Sequence, residues 1–439
     1  MAHTPAGSDD PTRGLVLLCA VALGAGVAIG FVGGAFRWCL RLADRWRLDL
    51  LDWADRAPGP AWLVPVAVTA VGAASAAVIA QRMPLAAGSG IQHVEATARG
   101  ESAPPTLPLV PAKFVGGLLA IGGGLVLGRE GPTVHMGAAI GAEAGRRARL
   151  GTDDVRLTQS AIAGAGLAVA FNAPVGGALF AFEEVTHTFR LRIVVPTLLA
   201  VAVAVACSRL VLGDHPDFDV RPGAAPAIAW LPMFAVFGLL TGLLGVAYNR
   251  LVIGFLDLAA AAGRVPPAVR AAMIGALIGC LLIADPRAAG GGDTLTQEIV
   301  GGGTLLLPAV LTLLLVRFVA GPLSYAAGTP GGLFAPLLAV GALWGVLYTR
   351  LADAVLPADL AALTVPMAVV GMAAFFGATV RAPLTGIVLV IEMTATAELT
   401  VPMAAATAMA VLVAQLAGAA PIYDSLRDRM IRGMRPGAP

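Results

Sequence analysis

The chain has 439 residues, of which 58% are hydrophobic and only 13% charged, with a mean hydropathy of +0.83. A soluble globular domain carries roughly a quarter charged residues, so this composition excludes one. The net charge of +2 comes without any basic run interleaved with aromatics, which sets aside a nucleic-acid-binding module.

A polar stretch over residues 1–14 leads into a first apolar block, residues 15–32. It is too long for a removable leader and lacks a small-residue cleavage site, so it reads as a membrane span. Arg37, Arg41, Arg45, Arg47 and Arg56 follow, interleaved with Asp44, Asp49, Asp52 and Asp55. That pattern predicts an amphipathic helix lying at the membrane interface. Further apolar blocks occupy 193–212, 231–248 and 401–415. Segments of about 18 apolar residues are long enough to cross a hydrocarbon core, so the chain reads as a multi-pass membrane protein. Arginines at 146, 147, 149 and 156, and again at 427, 429, 432 and 435, read as cytoplasmic. The first cluster pulls the other way, and charge alone leaves the orientation open. Cys19, Cys39, Cys207 and Cys280 sit in apolar surroundings as small core side chains. Neither they nor the five histidines have the spacing of a metal site or a nucleophile–base pair. No metal, cofactor or enzymatic chemistry is expected.

Three short Gly-rich segments interrupt apolar stretches: GSGIQ at 88–92, GREGP at 128–132 and GGLFAP at 331–336. Glycine before an apolar run, with proline in its first turn, marks a helix start. A helix starting inside a membrane leaves about four backbone N–H groups unpaired and carries the positive end of its dipole. Such a start is tolerated where it lines a cavity or binds an anion. Three of them predict a backbone cage for an anion.

The chain also repeats itself. Residues 113–141 align without gaps to 317–345, Lys113 against Arg317, and ten of the 29 positions are identical, among them Phe114/Phe318, Gly128/Gly332 and Pro132/Pro336. Chance would give roughly three in so biased a composition. A second match sets NAPVGGALFAFE (172–183) on RAPLTGIVLVIE (381–392), pairing Glu183 with Glu392. The halves meet at the Pro-rich segment GDHPDFDVRPGAAP. We therefore expect a tail over 1–13, a first membrane repeat over 14–213, a linker over 214–226, a second repeat over 227–433 and a tail over 434–439. Duplicated membrane chains of this kind place their site between repeats, on interrupted helices. Residues shared by both halves then serve packing, which is the expectation for Glu183 and Glu392. Glu130 faces Phe334 and Glu184 faces Met393 in the alignment, so these two acids break the symmetry.

With these motifs the chain resembles the CLC family of chloride channels and transporters, over nearly its whole length. The family's GSGIP appears as GSGIQ, GREGP is intact, GxFxP is Gly332-Leu333-Phe334-Ala335-Pro336, and the late tyrosine is Tyr423 in PIYDS. The resemblance implies an all-α polytopic membrane fold of two inverted repeats, without cytoplasmic CBS domains, in the cell membrane as a homodimer with one pathway per chain. It implies chloride and protons as the moved species, exchanged against each other. Ser89, Tyr423 and the backbone N–H groups of Leu333 and Phe334 would hold a central anion. Glu130 would be the external gate and proton acceptor, and Glu184 the internal proton acceptor found in exchangers. A passive channel of the same fold is the alternative, and a cation-coupled solute transporter is a more distant one. Physics supports the roles: an ionised carboxylate near free N–H groups mimics the anion it competes with, and protonation releases it.

Lys113 is the chain's one lysine and sits in an apolar stretch, where a cation is costly and usually functional. It is expected either to tune anion attraction or to pair with Glu95. Gln92 departs from the family proline, which restores an N–H and loosens the first turn of that helix. His93 and His135 read as helix-face residues. Ser89 favours chloride over nitrate by family analogy, and argues against the fluoride-exporting branch.

Overall fold

The computed structural model describes residues 11–221, 226–356 and 360–434, the side chains of 11–13 and 434 excepted. Residues 1–10 of the expected N-terminal tail, residues 222–225 of the linker, and the C-terminal residues 435–439 with Arg435 lie outside the described residues. All regular elements among the described residues are helical. The first half comprises α1 (Pro11–Arg56), α2 (Leu63–Arg82), α3 (Ile91–Ala98), α4 (Leu109–Gly122), α5 (Glu130–Arg147), α6 (Thr152–Phe171), α7 (Pro174–Phe180) and α8 (Leu191–Leu212). The second comprises α9 (Leu231–Ala261), α10 (Pro267–Ala284), α11 (Asp293–Val300), α12 (Leu307–Tyr325), α13 (Phe334–Asp353), α14 (Thr364–Val380), α15 (Pro383–Thr394) and α16 (Thr400–Leu416). A last helix, α17 (Ile422–Met434), has no counterpart. Nine helical segments among the described residues are long and apolar enough to cross a membrane.

The repeat is visible in backbone and bonding beyond the identical residues. Gly90 caps α3 at φ +90° and Gly292 caps α11 at φ +104°. Asn172 ends α6 and Arg381 ends α14, both in the left-handed conformation that side chains seldom adopt. Contacts between the halves are reciprocal, as a two-fold axis requires. Gly128 N–H donates to Gly332 O at 2.7 Å and Gly332 N–H donates back to Gly128 O at 2.8 Å. Glu392 accepts from the N–H groups of Val175 and Gly176, in the first turn of α7. Glu183 accepts from Leu384 N–H, Thr385 N–H and the Thr385 hydroxyl, in the first turn of α15. Each acid caps the other repeat's helix, satisfying N–H groups that a helix start leaves orphaned.

The arginine-rich segment after the first span differs from expectation. It is not a separate interfacial helix but the continuation of α1, and Arg37 on it is buried. The reason is electrostatic: Arg37 is paired with Asp217 from the inter-repeat linker and donates to Val169 O at 3.4 Å. The helix continues because its inward face meets protein charge rather than headgroups. Helices α5, α6, α13 and α14 form the protein-enclosed centre, and most of their residues are buried. The long helices α1, α2, α8, α9, α10, α12 and α16 surround it, with exposed apolar residues such as Val71, Leu198, Leu243, Met273 and Leu315 suited to a lipid boundary.

Candidate functional site

The helix starts that the Gly-rich motifs predict are all present: α3 begins after Gly90, α5 at Glu130 and α13 at Phe334. The reciprocal Gly128–Gly332 bridge brings the last two together, so two dipoles point their positive ends at one region. The first N–H groups of these helices have no carbonyl four residues back to bond. Glu130 is fully buried at this junction; its Oε2 accepts from Ala335 N–H at 3.4 Å, and its Oε1 has no partner. Its carboxylate folds back over Gly128, where a Cβ would stand only 2.0 Å from Oε2. The GREGP glycine is the room the carboxylate occupies.

Ser89 packs on the first turn of α5, its Oγ lying where a side chain at Gly131 would go. The Tyr423 ring stacks on Phe334 with centroids 5.9 Å apart. Both hydroxyls are fully buried, and neither Ser89 Oγ nor Tyr423 OH has a hydrogen-bond partner in the protein. A buried donor without a partner costs about 1–3 kcal/mol. Two of them at a meeting point of helix N-termini form a site short of an acceptor, which a small anion supplies.

The loop before α3 is braced from four directions. Lys113 Nζ donates to Gly88 O at 2.7 Å and Ser89 O at 3.1 Å. This corrects the Glu95 pairing: the ammonium satisfies two loop carbonyls instead, because the loop passes over the middle of α4. Arg317 does the same in the second half, donating to the carbonyls of Arg287, Ala289 and Gly290. Tyr325 OH accepts from Ser89 N–H at 3.3 Å. Gln92 does not leave the loop loose as its sequence suggests, since its Oε1 accepts from Gly90 N–H at 3.2 Å. His93 and His135 are not simple helix-face residues: they bond each other, Nδ1 to Nε2, at 3.0 Å, and the His135 ring fills the space beneath Gly90.

Glu184 lies in the irregular turn Ala181–Val185 that follows α7, buried at 7% exposure. The carboxyl of Glu95, which is 1% exposed, is its buried acidic neighbour. Next to this dyad, Asp424 of α17 accepts from Arg427 at 2.6 Å and from Arg99 at 3.2 Å, and Arg99 also contacts His187 Nε2 at 3.0 Å. Asp424, Arg99 and His187 are at least partly exposed, while Arg427 is buried.

Residues 71–415 match the family model described as voltage gated chloride channel. The chain belongs to that family. It is similar to proteins named H(+)/Cl(-) exchange transporter ClcA from Vibrio parahaemolyticus, 35% identical over 98% of this chain and 94% of the relative, and from Citrobacter koseri, 34% identical over 96% and 90%. Among solved structures, a slow cyanobacterial Cl-/H+ antiporter superposes with a TM-score of 0.89 at 29% identity, covering 95% of this chain and 99% of that one. A CLC-type fluoride/proton antiporter shares the fold at 22% identity, with a TM-score of 0.75 over 93% and 97%. As a member of this family the protein is a multi-pass membrane transport protein and not an enzyme.

Some of what surrounds the site escapes motif reading. Tyr325 braces Ser89 from the second half, and its only sequence signal is a tyrosine standing where the first half has Ile121. Arg37, Arg129, Asp217 and Asp293 form one charged cluster beside Glu130, drawn from four segments far apart in sequence. Only the clustered arginines of α1 hinted at it.

Proposed function

We propose that the protein exchanges chloride for protons across the cell membrane. The observation that carries this reading is the buried Glu130 carboxylate at the joined starts of α5 and α13, beside the partnerless Ser89 and Tyr423 hydroxyls. Ionised, Glu130 takes the place of an anion among N–H dipoles; protonated, it loses the charge that holds it there, and chloride enters. Ser89, Tyr423 and the N–H groups of Leu333 and Phe334 hold the ion in the centre. Lys113 keeps the Ser89 loop in place and adds its charge at close range. A gate of this kind moves protons fully across only with a second acid on the far side. Glu184, buried with Glu95 as its acidic neighbour, serves as that acid, taking up a proton and passing it toward Glu130. The dyad favours exchange over a passive channel, as do the names of the relatives. A cation-coupled solute transporter has less support, because the centre offers donors and dipoles rather than oxygen ligands. Pairing of two chains into a homodimer, each with its own pathway in the lipid bilayer, rests on the family resemblance.

Reconstitution into liposomes tests the exchange. An imposed chloride gradient is expected to drive protons uphill, and an imposed pH gradient to drive chloride. Chloride flux without any proton movement would make the protein a channel.

A further inference from the structure

The inter-repeat linker is not a slack tether. Asn172 donates to His215 O at 2.6 Å, Phe218 N–H to Met393 O at 3.0 Å, and Arg221 N–H to Val300 O at 2.9 Å. Gln297 clamps Asp219 at both ends, accepting from its N–H at 3.0 Å and donating to its O at 2.9 Å. Phe218 is buried at 4% exposure. The backbone of 215–221 is therefore fixed by bonds that leave the Asp217 side chain free to do something else.

That side chain is almost fully enclosed, at 3% exposure, and it reaches between two arginines. Arg37 of α1 pairs with its Oδ1, and Arg129, the residue before Glu130, lies 3.3 Å from its Oδ2. A cavity of ≈ 340 Å³ opens beside them, lined by Arg37, Arg41, Asp44, Arg45, Arg129 and Asp293 among others. Of its acids, Asp44 is engaged by Arg47 at 2.7 Å and Asp293 by Arg129 at 2.7 Å. Among the described residues Asp217 is the one carboxylate ion-paired with Arg37, whose other hydrogen bond is the long contact to Val169 O. Without Asp217, the buried Arg37 guanidinium faces a cavity whose other acids are ion-paired with other arginines, and a buried charge left without its partner is costly.

We propose that Arg37 and Arg129 form a second binding site for a small anion, on the Glu130 side of the membrane, and that the tethered Asp217 carboxylate competes for it. The logic repeats that of Glu130 one step further out: a carboxylate of the chain stands where the mobile halide binds. The inference rests on Glu130 lining the pathway, because an anion held between Arg37 and Arg129 is useful only as the neighbour of that position. An internal competitor lowers apparent affinity by the fraction of time it vacates the site, so its removal tightens binding. Asp217 thus sets the halide concentration at which transport saturates on that side.

The test is Asp217→Asn in the full chain, reconstituted, with the chloride dependence of flux measured from each side separately. The half-saturating chloride is expected to fall by about threefold or more on the Glu130 side and to stay unchanged on the other. Adding Arg37→Gln to that variant is expected to reverse the gain. An unaltered dependence, or an equal change on both sides, overturns the proposal and leaves Asp217 as a structural latch. If Asp217→Asn does not survive reconstitution, thermal unfolding in detergent decides, with chloride compared against gluconate at equal ionic strength. A chloride-specific rise in midpoint larger than that of the wild type supports the site, and an equal rise overturns it. Glu130→Gln separates the two readings: retained proton coupling there defeats the gate, whereas the Asp217 outcome is read from anion dependence alone.

Discussion

The two halves have the same eight helices in the same order, yet the two acids of the proposed exchange, Glu130 and Glu184, stand in only one of them. The loop before α3 is Gly88-Ser89-Gly90 and the loop before α11 is Gly290-Gly291-Gly292, with glycines at matching positive φ. Each is held by a buried cation from the next long helix, Lys113 in one case and Arg317 in the other, bonded to loop carbonyls. The backbone solution is shared; the side chains diverge. Ser89 becomes Gly291, Glu130 becomes Phe334 and Glu184 becomes Met393. Tyr423 sits on α17, the helix that belongs to neither repeat. Symmetric positions build the scaffold, and departures from symmetry put the two buried acids in the first half and the bracing Tyr325 hydroxyl in the second.

The largest expected effect comes from the departures. Glu130→Gln is expected to abolish proton movement while chloride flux persists, because the amide cannot exchange a proton but keeps the shape. Glu184→Gln is expected to do the same from the other side. Proton flux and chloride flux recorded together in liposomes check both, and uphill proton transport in either variant would break the division between halves. Glu183→Gln contrasts with its neighbour. It weakens the caps on Leu384 and Thr385 and is expected to reduce stability by about 1–3 kcal/mol with coupling intact.

Next in size are the paired cations. Arg317→Met leaves three carbonyls without a donor and Lys113→Met leaves two, each change costing about 2–4 kcal/mol. Thermal unfolding is expected to show both losses. Chloride affinity, followed by titration calorimetry, is expected to fall only for Lys113→Met, since only that loop presents Ser89. Equal loss of affinity in both would mean that the second loop shapes the anion site as well.

Much of this division was readable before any coordinates. Ungapped identity identified the repeat, and Gly-then-Pro spacing located the starts of α5 and α13, because helix starts are set by local backbone preference. Glu183 and Glu392 were assigned to structure on their recurrence alone, and reciprocal capping is what they do. Partnerships across space were less legible. Glu95 lies on an eight-residue helix, and its spacing from the glycines does not tell whether it turns toward Lys113 or toward Glu184. The Arg37–Asp217–Arg129–Asp293 cluster joins α1, the linker, α5 and α11, and no motif spans those distances. The interfacial reading of Arg37 failed for that reason.

Smaller effects are expected at the anion itself. Ser89→Ala and Tyr423→Phe each remove a buried hydroxyl with no other partner, worth about tenfold in chloride affinity when the acceptor is charged. The double variant is expected to lose coupling before it loses flux. Ser89→Pro is expected to shift preference toward nitrate, as a donor suited to a compact ion disappears. Calorimetry with chloride, bromide and nitrate checks the series, and unchanged affinities throughout would place the anion elsewhere.

The smallest effect belongs to Gln92, where the chain departs from the family proline. Position 92 is the second residue of α3, where an N–H has no carbonyl to bond, so proline removes nothing there and its fixed φ suits the helix. Gln92 earns its place through its side chain, which accepts from Gly90 N–H. Gln92→Pro breaks that bond and exchanges it for a stiffer turn. The two changes oppose each other, and the net stability difference is expected to stay within about 1 kcal/mol. The Gly90 N–H, released from Gln92, faces the loop that carries Ser89, and chloride affinity is expected to rise by about threefold or less. A clear fall in affinity would show that Gln92, rather than the backbone, holds this half's loop in its anion-binding shape. The glycine-rich loop of the second half, with Thr294 at the matching position, would then differ from it in mechanics as well as in side chains.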